Sequence, residues 1–227
     1  MQESSLHASL KDWYSKPGDL VEEAIDGFLI DIVHGHQMIE IQTRNFSALK
    51  HKLSILLDRH PVRLVHPIAR EKWIIRISAN DEELLSRRKS PRHGRLEHLF
   101  RELVRIPRLA KHPNFSLEVL IIREEEVRRD DGKGSWRRNG QSIADRRLLS
   151  ILDRHIFISN KDYLDLLPED LSHPFTNIEL ARALSISSNL AAKMTYCLRM
   201  MDALIFVGKR GNAHLYEAAN SEWHTSK

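Results

Sequence analysis

The sequence contains little cysteine and no long apolar segment. Its 227 residues include a single cysteine, Cys197, which excludes an intramolecular disulfide and is typical of a reducing compartment. No apolar run approaches the roughly 20 residues that a membrane-spanning helix needs. Residues 1–13 are polar and carry both charges, so we expect neither a signal peptide nor a transit peptide. Together these absences predict a cytoplasmic protein with no membrane partner.

The overall composition is that of an ordinary globular protein with a small excess of positive charge. Hydrophobic residues make up 41% and charged residues 29%, which excludes wholesale disorder. The 35 Lys+Arg outnumber the 31 Asp+Glu, which gives a formal net charge of +4 and a sequence pI near 9.2. This balance is compatible with a nucleic-acid partner. The Arg-dense segment 87–95 could contact phosphates, and it could equally form a solvated surface.

The first 78 residues predict helices packed on a sheet. The expected elements are helices over 4–15 and 46–58, and strands over 20–24, 28–33, 38–42, 62–68 and 72–77. The short turn after residue 33 indicates an antiparallel hairpin. Asn45 or Ser47 is expected to cap the second helix.

The middle of the sequence has a different character. Residues 81–110 are Arg-rich and predict helices, and 115–127 contain a strong strand. Residues 128–142 include Asp130-Asp131-Gly132 and predict a loop or linker. The expected organisation is an α/β domain with a mixed sheet over 1–128 (core about 5–78), a linker over 129–144 and a second domain over 145–227.

The C-terminal region carries a helix-start signal. Thr176 and Glu179 form a capping-box pattern that begins a helix extending to Leu184, with Ile178, Ala181 and Leu184 facing inward. A turn at 185–187 leads to a second helix over 189–204. The side chains expected on its buried face are Leu190, Ala191, Met194, Leu198 and Met201. A hairpin with a basic tip at 208–212 follows.

This order of helix, turn, helix and basic hairpin resembles the winged-helix family over about residues 145–218. The resemblance implies further helices at 145–155 and 160–167, and DNA contact through the second helix and the hairpin. The residues it assigns to DNA contact are Ser188, Asn189, Lys193, Tyr196, Arg199, Lys209 and Arg210. Many winged helices dock proteins, so protein contact alone remains an alternative.

Two acidic residues lie on the strands of the first predicted hairpin. Asp31 can stand beside Glu40 on the neighbouring strand, and Gln42 points the same way as Glu40. Two carboxylates held close together repel each other, and a divalent cation removes that repulsion. The pair could also be a buried hydrogen-bonded pair or part of an exposed sheet edge.

The stretch from Ile30 to Arg44 resembles the PD-(D/E)XK, or restriction-endonuclease-like, nuclease superfamily. Its pattern is an aspartate on one strand, a turn, Glu-X-Lys on the next strand, and then a helix. The resemblance implies that Asp31 and Glu40 bind Mg²⁺ or Mn²⁺, and that Gln42 occupies the lysine position. Because glutamine has no charge, Lys50 on the following helix is the preferred basic group, with Arg44 nearby.

The sequence therefore predicts a metal-dependent DNA endonuclease, or a nuclease subunit of a DNA-processing, mobile-element or defence machine. The expected partners are DNA and a protein such as an ATPase or recombinase subunit, and a homodimer is an option. The alternative is a non-catalytic winged-helix regulator, or a docking subunit with a degenerate nuclease domain.

Overall fold

The computed structural model describes residues 4–80 and 83–219, and the fold is α/β, with a large mixed sheet flanked by helices. The α-helices within this part of the chain are α1 (Ser5–Tyr14), α2 (Lys50–Leu56), α3 (Phe100–Leu103), α4 (Asn160–Leu164), α5 (Asn177–Ala183) and α6 (Ser188–Met200). The strands are β1 (Leu20–Ile25), β2 (Phe28–His34), β3 (Gln37–Ile41), β4 (Val62–Ile77), β5 (Leu84–Lys89), β6 (Phe115–Arg129), β7 (Ser142–Phe157), β8 (Leu204–Arg210) and β9 (Ala213–Ala218).

The chain divides into two compact units whose segments alternate along the sequence. Unit 1 contains Met1–Thr43, Val65–Leu96 and Val119–His155. Unit 2 contains Arg44–Leu64, Glu97–Glu118 and Ile156–Lys227. Each predicted domain contributes residues to both units, so the predicted boundaries do not coincide with this division.

The strands of the large sheet follow the order β1-β2-β3-β4-β6-β7, and β5 pairs with β4. β1 pairs antiparallel with β2, and β2 with β3, which confirms the predicted hairpin. Gly35 lies in the two-residue turn between His34 and Gln37 with a φ of +57°, a conformation that glycine adopts without strain. This short turn fixes the register that places Asp31 near Glu40.

Helix α1 was predicted from its apolar spacing, and the structure confirms it. Ser4 caps the helix through its side chain, which accepts a hydrogen bond from the backbone N–H of His7. Leu6 and Leu10 are fully buried. They belong to a core cluster with residues of β2, β3, β4 and β6, among them Ile32 and Ile39. Burial of this helix face therefore holds α1 on the sheet within unit 1.

Three expectations about the first half of the chain need correction. The runs 62–68 and 72–77 form one continuous strand, β4. The second helix begins with a 3₁₀ turn, Phe46–Leu49, before α2. Neither Asn45 nor Ser47 caps it as predicted: Asn45 has left-handed backbone angles and makes no side-chain cap hydrogen bond, and Ser47 lies inside the 3₁₀ turn.

The predicted helix-rich segment 81–110 contains a strand, β5, in its first half. β5 pairs antiparallel with β4, and Trp73 is opposite Lys89 in that register. The guanidinium carbon of Arg87 lies 5.5 Å from the Trp73 ring centroid, and Nζ of Lys89 lies 5.2 Å from it. Pairing and cation–π contacts outweigh the intrinsic helix preference of arginine. Asp81 and Glu82 lie outside the described residues.

The helix expected at 145–155 is also wrong, because these residues belong to β7. Arg146 of β7 forms a 3.2 Å ion pair with Glu124 of β6, its neighbour in the sheet. Of the predicted linker 129–144, residues 130–141 connect β6 to β7, and the remaining residues belong to these two strands. The helix expected at 160–167 is confirmed in part by α4.

Within unit 2, α6 contacts α3, α4, α5 and β8. The predicted buried face of α6 is confirmed, because all five apolar residues assigned to it are at most 3% exposed. α6 ends at Met200, four residues before the predicted end. Ile178 of α5 is 57% exposed instead of facing inward, and Leu180 is buried in its place. A bridge between Phe175 and Tyr216 adds a short third strand segment beside the β8–β9 hairpin.

None of the helices within residues 4–80 and 83–219 has both the length and the apolar character needed to cross a membrane.

Candidate functional site

The candidate site begins with two acidic side chains from the paired strands β2 and β3. The register aligns Ile32 with Ile39, and Asp31 and Glu40 are the next residues along each strand. The backbone N–H of Asp31 donates to Oε1 of Glu40 over 3.4 Å. The backbone N–H of Ile41 donates to Oδ2 of Asp31 over 2.8 Å. The structure therefore brings the two predicted acids together, and each carboxylate is oriented by a backbone amide of the other strand.

Burial distinguishes the two carboxylates. Glu40 is 4% exposed, whereas the Asp31 side chain is 19% exposed. A buried carboxylate is costly to keep ionised unless hydrogen bonds or a cation stabilise its charge. Asp31 is the more accessible of the two groups to solvent.

A histidine that was not predicted for this site contacts it from α1. The Nε2 atom of His7 lies 2.9 Å from the backbone oxygen of Ile41 and 3.3 Å from Oδ2 of Asp31. Its side chain is 21% exposed. No local sequence pattern indicates this contact, because His7 precedes Asp31 by 24 positions and lies on a separate element.

The donor set has a limited capacity for a metal ion. Within residues 4–80 and 83–219, no three His, Cys, Asp or Glu side chains are grouped so that they could hold one by themselves. Mg²⁺ is commonly bound by one or two carboxylates, with water and phosphate oxygens completing its shell. Asp31 and Glu40 fit that smaller requirement, and the backbone oxygen of Ile41 faces the same region through its contact with His7.

The three basic or amide residues predicted beside the acids are divided between the units. Gln42 belongs to unit 1. Its backbone N–H donates to the backbone oxygen of Val65 over 2.8 Å, and its own backbone oxygen lies 2.8 Å from Nδ1 of His66. These contacts fix its backbone directly after β3. Arg44 and Lys50 belong to unit 2, and both are exposed there. Lys50 is the first residue of α2.

The nucleic-acid candidates on α6 differ in exposure. Ser188 and Asn189 are exposed, and Tyr196 is 45% exposed. Lys193 is half-buried. The guanidinium carbon of Arg199 lies 6.0 Å from the ring centroid of Tyr216, so this side chain is directed toward β9.

The basic residues of the hairpin are in strand β8 and not at its tip, which corrects the prediction. The turn is formed by Gly211 and Asn212, and Lys209 is exposed before it. Nη1 of Arg210 forms a 2.6 Å ion pair with Oε1 of Glu179. Glu179 also accepts the backbone N–H of Thr176 over 2.8 Å, which lowers the pKa of its carboxyl, and Arg210 adds to that effect. Arg210 therefore connects the hairpin to α5.

A cluster of charged side chains on β4, β6 and β7 was not predicted from the sequence. Nζ of Lys72 lies 2.8 Å from Glu124 and 2.9 Å from Glu126. Arg128 pairs with Glu126 over 2.6 Å, and Arg146 pairs with Glu124. Both glutamates are nearly fully buried. The available signal was the spacing of two residues between Glu124, Glu126 and Arg128, which places them on one face of a strand.

The cysteine is structural. Cys197 of α6 is fully buried, and burial raises the pKa of its thiol to about 12, although Lys193 opposes this slightly. Because the thiolate is the reactive form, this residue acts as a small apolar side chain, as the sequence indicated.

Comparisons with known proteins place most of the chain in a family. Residues 4–158 match the family model described as "Domain of unknown function (DUF8091)". An uncharacterized protein of Treponema pallidum (strain Nichols) is 32% identical over 193 residues, which cover 81% of this chain and 76% of that protein. No solved structure matches the chain.

Proposed function

The chain belongs to the DUF8091 family, and we propose that it is a metal-dependent DNA endonuclease, or the nuclease subunit of a larger DNA-processing, mobile-element or defence machine. The observation that carries the proposal is the pairing of Asp31 and Glu40 on adjacent strands, each oriented by a backbone amide of the other strand. Its reaction is phosphodiester hydrolysis, and the cytoplasm is its proposed location.

The order of elements supports this proposal. An aspartate on β2, a tight turn, a glutamate on β3 and then helix α2 follow the arrangement that the PD-(D/E)XK resemblance implies. The sequence departs from that pattern at Gln42, which brings no positive charge. The resemblance implies that Lys50 on α2 would supply the basic group and Arg44 a phosphate contact, and both residues belong to unit 2.

The proposed roles follow from charge. Asp31 and Glu40 would hold Mg²⁺ or Mn²⁺, and Gln42 would help to position the attacking water. The bound ion would supply positive charge for the scissile phosphate and an activated water. Backbone amides already orient both carboxylates. The side chains of Asp31 and Glu40 therefore need little movement relative to each other when the substrate binds.

Plasmid cleavage tests the proposal. With supercoiled plasmid and Mn²⁺, Asp31→Asn and Glu40→Gln should each lower the cleavage rate by about 100-fold or more, because each removes one negative charge while retaining an oxygen acceptor. EDTA should abolish the wild-type reaction. Asp12→Asn removes an exposed carboxylate from α1 and should cleave like the wild type. Wild-type rates in both site variants would refute the proposed site.

A second candidate function is favoured by a separate observation on unit 2. Segments of unit 2 contain 16 Lys+Arg against 12 Asp+Glu, whereas those of unit 1 contain 19 of each, so the whole net charge of +4 lies in unit 2. The exposed residues of α6 lie in this basic unit. This supports DNA binding by a winged-helix-like module without cleavage, either as a regulator or as a docking subunit. Duplex binding without any metal-dependent cleavage would identify this function.

A further inference from the structure

We infer that His7 of α1 is a built-in competitor for the cation of the Asp31/Glu40 site, so that His7 must leave its present position before the ion binds. The inference rests on the proposed function, because it concerns how the same site is occupied. It assigns to α1 the role of controlling access to the two carboxylates.

The argument begins with the oxygens that His7 engages. A single nitrogen, Nε2, lies 2.9 Å from the Ile41 oxygen and 3.3 Å from Oδ2 of Asp31. One atom therefore lies within reach of a backbone oxygen and a carboxylate oxygen together. Hard divalent cations are bound by these two kinds of oxygen, at roughly 2.0–2.6 Å.

The two occupants compete because both would approach the same two oxygens. The contact between Nε2 and the Ile41 oxygen requires a hydrogen on Nε2, since a carbonyl oxygen can only accept. That N–H has its positive end directed at the oxygens. A cation that takes the same oxygens would meet this positive end at short range, and the two would repel each other.

The position of His7 is secured by its helix. The backbone N–H of His7 is bound by the cap residue Ser4, and the adjacent Leu6 is fully buried. The backbone of α1 is thus anchored to the core of unit 1 independently of the imidazole. A side-chain rotation of His7 can therefore open the site without unfolding α1.

Mn²⁺ affinity tests this inference. Titration of the full chain with Mn²⁺ alone, followed by calorimetry, should give a dissociation constant at least about fivefold lower for His7→Ala than for the wild type, the equivalent of one hydrogen bond of about 1 kcal/mol. His7→Gln, which retains an N–H donor, should fall between the two. The control His36→Ala changes an exposed turn histidine and should bind like the wild type.

Each remaining outcome contradicts the inference. Equal affinity in His7→Ala and the wild type would show that His7 has no influence on the ion. Weaker affinity in His7→Ala would show that His7 is a ligand. In both cases the proposed nuclease site stands if binding is lost in Asp31→Asn. If the wild type and His7→Ala both fail to bind Mn²⁺, the inference and the proposed metal site fail together. Thermal unfolding in EDTA checks that each variant is folded.

Discussion

At the scale of single residues, the buried ion cluster of unit 1 has a specific dependence on pH. Burial opposes ionisation of Glu126, but Lys72 and Arg128 outweigh it and lower the pKa of Glu126 from 4.5 to about 2. A carboxyl whose pKa is lower in the folded protein stabilises the fold above its unfolded pKa. This contribution is lost as pH falls from about 4.5 towards 2.

We therefore expect Glu126→Gln to lower the free energy of unfolding by about 2–3 kcal/mol at pH 7, because Arg128 and Lys72 lose a charged partner. The difference from the wild type should shrink below pH 4.5. Urea unfolding at pH 7, 4 and 3 measures it. Glu125→Gln removes an ion pair with the half-exposed Arg87 and should cost about 0–1 kcal/mol. A loss in Glu126→Gln that is the same at all three pH values would contradict the proposed cause.

At the scale of elements, the start of α5 depends on its capping box. Oγ1 of Thr176 accepts the Glu179 N–H over 3.3 Å, and Glu179 accepts the Thr176 N–H in return. Thr176→Ala should destabilise the protein by about 0.5–2 kcal/mol. Thr176→Ser keeps the hydroxyl and should recover most of that loss, and the exposed Ser172→Ala should have no effect. Equal unfolding midpoints for the alanine and serine variants would show that the hydroxyl contributes nothing.

The elements that the sequence predicted are those with local signals. The ends of α1 and α5 follow from a capping side chain and an apolar stripe, and the β2–β3 hairpin follows from its two-residue turn. β5 and residues 145–155, most of β7, were predicted as helices, because a strand is stabilised by partners distant in sequence, such as Glu124 for Arg146. The proximity of Asp31 and Glu40 could be predicted, because a local turn signal sets their hairpin. The contact of His7 with Asp31 could not be predicted, because the two residues lie on elements that are distant in sequence.

At the scale of the whole molecule, the alternation of the units along the chain could not be predicted from composition. β4, β6 and β7 each contribute residues to both units. A boundary placed at a glycine-rich segment such as 130–141 therefore falls inside unit 1. The uneven distribution of charge becomes visible only after this division. The excess of positive charge belongs to unit 2.

This charge distribution makes a prediction about salt. If unit 2 binds duplex DNA, Lys193→Gln and Lys209→Gln should each weaken binding uniformly across sequences, because a lysine that contacts phosphate carries no sequence information. Each variant should reduce the slope of log affinity against log salt by about 0.9. Fluorescence anisotropy of a labelled duplex with the full chain gives these slopes.

Lys161→Gln is the matched control for this measurement. Lys161 is an exposed lysine of α4 that pairs with Asp165, the residue after that helix. It belongs neither to α6 nor to the hairpin, so its loss should leave the slope unchanged. If all three variants shift the slope equally, binding depends on total charge and not on the surface of α6. If the wild type has no affinity for duplex DNA at low salt, the prediction of DNA binding by unit 2 is wrong, and the alternative of protein docking is favoured.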